Sequence, residues 1–411
     1  METRIQTRKR KGYAAVSLLD FDQLDPLISV LSSSDDRDLT SHAEDRLSRL
    51  GAHPEKLSTL LGRTEVGIRA GILRSLSGIK LDNIPEKVRG RLLTEVTRFF
   101  QEDPDGGIHS AAELTLNAWG QGDRVRAWKN TSAPRRATAG CGWYVTGSGE
   151  TMIVFRGPIV TVTGSPADEH AHETDEAQRK RVINRDFAIA STEVTHADFL
   201  ALTPGFRHKE HDVIPNPQCA AAAMSWHRAA QYCNAFSRNE HIPENELCYE
   251  IDPQGFAKPF PDHLNRNGYR LPTEVEWEFA CRAGTPTAFY WGNDPQLAER
   301  YAWTIANSQS QNHPVGQLIP NNFGLHDMLG NVMEWTDNIF DELAPRFPEI
   351  DGEDPGPFER DNQRITRGGS AIIPGDRIRI ANRTPGKAYT GVVLHLGFRL
   401  ARTINPPLGA P

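Results

Sequence analysis

The apolar period of this chain changes once, near residue 143, and that break constrains the fold more than any other feature. Upstream, apolar residues recur at helical spacing: Leu24, Leu27, Ile28 and Leu31, then Leu39, Ala43, Leu47 and Leu50. Two further blocks follow, one through Ile68, Ile72 and Leu76 and one through Val88, Leu92, Val96 and Phe99. Downstream, short β-type runs at 152–155 and 159–162 alternate with turn residues, and two helices have legible ends. One helix follows Ser225. The other opens at Thr273, where Glu276 completes a capping box, and stops at Gly284. With 34 glycines and 28 prolines in 411 residues, the remainder is expected to be ordered loop rather than long helix. The expected fold is therefore α+β in two parts: a helical region over 20–120 and an irregular mixed domain over 143–405. A disordered basic N-terminus over 1–19 and a linker over 121–142 complete the division.

The helical part carries a weak internal echo. Asp36 is followed by Ala43, Leu47, Leu50 and Gly51, and Asp105 by Ala112, Leu116, Trp119 and Gly120, at the same offsets. Glu65 with Ile72, Leu76 and Ile79 fits between them without the glycine. The pattern resembles HEAT-type helical repeats at uneven spacing. A plain helical bundle is the other reading.

Composition excludes several classes. A net charge of −7 gives no broad field for phosphate, so nucleic acid is not an expected partner. No apolar run approaches the ~20 residues that span a bilayer, and none at the start resembles a signal peptide. The five cysteines, Cys141, Cys219, Cys233, Cys248 and Cys281, are scattered and lack CxxC spacing. That usage suits reduced thiols and a cytoplasmic location.

From Phe187 onward, motifs stand in a fixed order: FAIASTEVT to Thr195, MSWHRAAQYCN from Met224 to Asn234, and RLPTEVEWEFA from Arg270 to Ala280. GLHDMLGNVMEW from Gly324 to Trp335, RGGS from Arg367 to Ser370 and GFR from Gly397 to Arg399 follow. This series resembles the sulfatase-modifying-factor family, which includes the formylglycine-generating enzymes. The resemblance implies an irregular, C-type-lectin-like fold.

It also implies a structural calcium ion. Asp327, Gly330, Val332 and Glu334 match the family's ligand positions, two carboxylate-type side chains and two backbone carbonyls. A hard cation wanting six to eight oxygens suits a tight glycine turn between two acids. Asn307 matches one part of a second calcium site, whose downstream acid is missing. The plain reading of the same residues is that Asp327 caps a turn and Glu334 pairs with an arginine.

In the oxidising members two cysteines follow the Gly-Gly-Ser motif and bind copper. Here those positions hold Ile373 and Ile378, and no cysteine follows Cys281. An aliphatic side chain cannot ligate Cu(I), so copper is not expected. A branch that uses non-haem iron carries a histidine triad in an N-terminal domain. His42, His53 and His109 lack its spacing, and His170 with His172 form the one local metal-like pair. The resemblance places Arg367, Ser370 and Arg379 in the family's substrate groove, where arginines would engage a peptide's carboxylates or carbonyls. The expectation is a peptide- or protein-binding, regulatory module without oxidase activity. The alternative is an oxidoreductase of the formylglycine-generating or non-haem-iron type, acting on a protein or thiol through another site.

Overall fold

The computed structural model describes the chain except for residues 1, 34, 52, 64, 135, 204–213, 341–361, 389–392 and 406–411. Eight helices come first: α1 (Glu2–Ser17), α2 (Asp25–Ser32), α3 (Arg37–Leu50), α4 (Pro54–Leu60), α5 (Val66–Leu76), α6 (Glu86–Glu102), α7 (Gly106–Ala118) and α8 (Gly122–Thr131). The acids of the sequence echo are the N-caps of α3, α5 and α7. Asp36 accepts from the Leu39 N–H and Asp105 from the Ile108 N–H, as an N-cap carboxylate should. These three helices stack in a row, α3 on α5 and α5 on α7, while α2, α4 and α6 flank them. Buried Ala43, Leu47, Ile72, Leu76, Ala112 and Leu116 are part of their shared core.

Two expectations are corrected here. The segment read as a disordered basic tail is helix α1, packed along α3. Its apolar stripe is short, but Gly12 lets the two backbones approach. A Cβ there would lie 3.1 Å from the Leu39 carbonyl oxygen. Ala15, Val16 and, just beyond, Leu19 are buried. The segment read as a linker contains α8, held to α7 by Lys129 and Glu113 at 3.1 Å.

The second part contains β1 (Trp143–Val145), β2 (Thr151–Phe155), β3 (Ile159–Thr163), β4 (Arg179–Ile183), β5 (Phe187–Ala190), α9 (His196–Leu202) and α10 (Trp226–Asn239). It continues with β6 (Tyr249–Ile251), β7 (Ala257–Pro259), β8 (Tyr269–Arg270), α11 (Glu274–Arg282) and α12 (Ala298–Tyr301). It ends with β9 (Met333–Ile339), β10 (Gln363–Arg367), β11 (Thr384–Lys387), β12 (Leu396–Gly397) and β13 (Ala401–Thr403). The central antiparallel sheet runs β1-β2-β5-β13-β8 and is covered on both faces. Ile153, Phe155, Phe187 and Ile189 pack with Trp277, Trp291 and Met328, whereas Met152, Val154 and Ala188 pack with Trp226, Tyr232 and Phe236 of α10. Double burial explains why residues 152–155 are continuously apolar instead of alternating. A second sheet, β11-β10-β9-β12, carries the GLHDMLGNVMEW and RGGS segments.

The two parts are joined by buried polar contacts. Asp38 accepts from the Asn293 backbone N–H at 2.5 Å and its side-chain amide at 2.9 Å. Arg37 donates to the Tyr290 carbonyl, and Arg300 pairs with Asp45 at 3.2 Å. Trp143 donates its indole N–H to the Asp103 carbonyl and stacks on His109, ring centres 3.7 Å apart. Among the described residues no helix is long and apolar enough to cross a membrane.

Candidate functional site

The glycine turn before β9 is built from residues held at positive φ: Gly324, Asp327, Gly330 and Asn331. Gly330 is obligatory, since a Cβ would sit 2.4 Å from the Trp303 carbonyl oxygen. The turn places the Asp327 carboxylate inside the domain, where one oxygen, Oδ2, accepts from the Gly316 N–H at 2.7 Å. Its other oxygen, Oδ1, is buried with no hydrogen-bond partner. Glu334, on β9, accepts from Arg399 Nε at 2.7 Å and Nη2 at 2.6 Å, and from the Trp277 indole N–H at 2.8 Å. The plain reading thus holds for Glu334.

A third acid completes the cluster. Glu193, just beyond β5, accepts from the Asn331 amide at 2.8 Å and the Val332 N–H at 3.3 Å. Burial, with the charges of Asp327 and Glu334 nearby, pushes its carboxyl well above the usual carboxylate range. Burial lifts Asp327 to about 6, although the Gly316 N–H and Arg399 oppose the rise. Sequence reasoning quoted Glu193 within FAIASTEVT but gave it no role. An acid directly after a buried strand was the only signal.

The donors fit a hard cation. Asp327 Oδ1 lacks a partner, and Glu334 Oε1 accepts one hydrogen bond, so two anionic oxygens retain capacity for an ion. Asp327 and Glu334, with the Gly330 and Val332 carbonyls, are the residues that would hold calcium. Asn307 instead braces its own loop, accepting from the Thr304 N–H and donating to the Ala302 carbonyl.

The segment after Gly-Gly-Ser is closed. Arg367 is buried, donates to the Ala381 and Asn382 carbonyls at 2.7 and 2.8 Å, and pairs with Glu278. Arg379 is buried too, pairing with Glu169 and Glu176 at 2.7 Å and donating to the Ala171 carbonyl. The two guanidiniums expected to line a groove are thus engaged in internal ion pairs. Ser370 is buried, and its hydroxyl has no partner. Ile378 is wholly buried and crowds Gly369, where a Cβ would lie 2.5 Å from the isoleucine Cγ2. Ile373 is half-buried.

The remaining candidates separate. His172 bonds to the Ser165 hydroxyl at 2.7 Å, while His170 is exposed. His42 faces Asp294 at 3.3 Å, and His53 faces Asp20 at 2.8 Å. Cys233 and Cys281 are core residues whose thiols burial pushes up, away from the reactive thiolate. Among the described residues no group of three His, Cys, Asp or Glu side chains is arranged to hold a metal.

Residues 145–404 match the sulfatase-modifying factor enzyme 1-like domain. The chain is 31% identical to the formylglycine-generating enzyme of Bos taurus over 286 residues, 61% of this chain and 75% of that protein. It is 34% identical to the inactive C-alpha-formylglycine-generating enzyme 2 of Mus musculus over 158 residues, 34% of this chain and 45% of that one. The chain spans 63% and 49% of the length of two further curated relatives. Among solved structures, Treponema denticola variable protein 1 superposes with a TM-score of 0.52 at 25% identity, covering 62% of this chain and 95% of that one. With its motif series, its sheet-and-loop architecture and a family match over more than half its length, this chain belongs to the sulfatase-modifying factor family.

Proposed function

We propose that this chain is a peptide- or protein-binding, regulatory member of the family that does not carry out copper-dependent oxidation. The observation that carries this reading is the pair Ile373 and Ile378 at the positions of the expected thiols. Ile378 is wholly buried against Gly369, where even a Cβ would lie 2.5 Å from its Cγ2. The internal pairing of Arg367 and Arg379 supports the same reading, because a groove built to hold substrate would leave such groups available. That a relative bears the name of an inactive enzyme is consistent with it. The helical stack, HEAT-like in its row of inner helices, is a second surface for a protein partner.

Calcium at Asp327, Gly330, Val332 and Glu334 belongs to this proposal as a structural ion, and copper does not. The five free cysteines favour work in the reduced cytoplasm, and the net charge of −7 argues against nucleic acid as a partner.

The test is mass spectrometry of a Cys-x-Pro-x-Arg peptide after incubation with the protein, copper, reductant and oxygen, beside an active family enzyme as control. The peptide is expected to remain unmodified. Conversion of its cysteine to formylglycine would overturn the proposal.

A further inference from the structure

A cleft of about 830 Å³ lies where the helical stack meets the second domain. One wall is the exposed side of α7 and α8. The other is formed by the turn at 148–150, residues 191–198, the loop at 314–318 and His326. The volume lies within the range of small-ligand sites, and neither part of the chain could form the cleft alone.

The charges lining it do not balance. Lys129 pairs with Glu113 at 3.1 Å, while Arg126 and its neighbour Asp123 stand mostly in solvent. That leaves Glu150 and Asp198, which no cation pairs among the described residues. Glu150 is half-buried and accepts only from the Thr192 hydroxyl at 3.2 Å. Asp198 accepts from the Thr195 hydroxyl at 2.5 Å, and its carboxylate has no other side-chain partner among the described residues. Burial pushes the Glu150 carboxyl up to about 7, with Asp198 adding to the rise and Lys129 opposing it. Among the described lining residues, three carboxyls, Glu113, Glu150 and Asp198, thus face two cations, Lys129 and Arg126.

An independent observation comes from His326. Its side chain is buried, 5% exposed, and lines the cleft. Nδ1 bonds to the Leu318 carbonyl at 2.9 Å. A carbonyl can only accept, so Nδ1 carries a proton, and in the neutral ring Nε2 presents a lone pair with no partner among the described residues. The cleft thus offers the Asp198 carboxylate, the Glu150 carboxyl and an imidazole nitrogen as acceptors.

We infer that this interdomain cleft binds a ligand carrying an ammonium or guanidinium group, received by Glu150, Asp198 and His326. A cation with several N–H donors satisfies all three acceptors, whereas a bare metal ion would need them gathered in one coordination sphere. The inference is independent of whether the Gly-Gly-Ser segment oxidises anything.

Isothermal titration calorimetry of the full chain with agmatine and with acetyl-Gly-Arg-Gly-amide tests it, with glutarate as the anionic control. Saturable binding of a cationic probe and none of glutarate is expected. Tighter binding of agmatine assigns a free amine, and tighter binding of the peptide assigns a basic side chain. The double variant Glu150→Gln/Asp198→Asn is expected to bind at least about tenfold more weakly. Lys129→Gln, which removes the competing cation, is expected to strengthen binding and serves should the double variant fail to fold. Absence of saturable heat with both cationic probes, unchanged affinity in the double variant, weaker binding in Lys129→Gln or preferential binding of glutarate would each overturn the inference.

Discussion

Arg399 meets Glu334 side-on, through Nε and Nη2, with two hydrogen bonds of 2.7 and 2.6 Å and both side chains wholly buried. The same guanidinium donates to the carbonyls of Ala190 and His326, tying the central sheet to the glycine turn. It faces not one acid but three, since Glu193 and Asp327 also lie within its field. Replacing it by methionine leaves a buried carboxylate without its partner, a loss of about 3–5 kcal/mol. The double variant Arg399→Met/Glu334→Gln is expected to lose less than the single, because the unpaired charge goes with its partner. Urea denaturation of wild type, both singles and the double supplies the cycle, and equal losses for Arg399→Met and the double would refute the pairing argument.

The unpartnered Asp327 oxygen predicts a response to calcium. Calcium at 100 times its dissociation constant should stabilise the fold by about 2.7 kcal/mol, and a chelator should reverse the gain. Asp327→Ala should abolish the response, while magnesium, which demands tighter octahedral geometry, should reproduce it poorly. Thermal melts with calcium, magnesium and chelator check this. An unchanged Tm with calcium in the wild type would remove the ion from the proposal.

His109 predicts a pH dependence. It is wholly buried, stacked between Phe100 and Trp143, and burial holds it down at about 4 against an ordinary value of 6.5. The unfolded chain therefore takes up a proton at a higher pH than the folded one. The contribution is complete above pH 6.5 and is lost progressively as pH falls towards 4. Its upper size is about 3 kcal/mol for a shift of this order. Urea midpoints measured from pH 7.5 to 4 should fall less steeply for His109→Gln than for wild type, and parallel curves would count against the assignment.

Gly107 predicts how firmly the two parts are joined. A Cβ at this position would lie 2.2 Å from the backbone oxygen of Asn322, which no rotamer change can relieve. Gly107→Ala should therefore lower stability by about 1–3 kcal/mol and increase proteolysis between α7 and β1. Gly90, with nothing near its missing Cβ, is the control, and Gly90→Ala should be neutral or stabilising. Equal melts for the two variants would mean that the helical stack is not docked there.

Helices α3, α5, α6 and α7 were legible because an amphipathic helix writes its buried face into a local period, and the Thr273 capping box marked the start of α11 for the same reason. Helix α1 was not legible. Its stripe is two turns long and its glycine makes sense only against α3. Helix α8 was hidden because its one buried residue, Val125, gives no period. At the candidate site the motif spacing located Asp327, Gly330, Val332 and Glu334, but not the Glu193 carboxyl lying 138 residues away from Asn331, its partner. Arg367 and Arg379, on either side of Gly-Gly-Ser, were expected to line a groove, and the structure gives both of them internal partners. Their partners, Glu278, Glu169 and Glu176, lie far from them in the chain.

What the sequence determined by itself was covalent and local: the order of the motifs, the helical periods, and the isoleucines where thiols would be needed. An isoleucine side chain cannot ligate copper in any fold, so what Ile373 and Ile378 are chemically required no coordinates. Only the tertiary structure decided which charges are spent and which remain. It closed Arg367 and Arg379 into ion pairs, and among the described residues it left Asp327 Oδ1 unmatched and opened a cleft in which Glu150 and Asp198 lack a paired cation. Whether a carboxylate is balanced depends on burial and on neighbours a few ångströms away, and those neighbours come from anywhere in the chain.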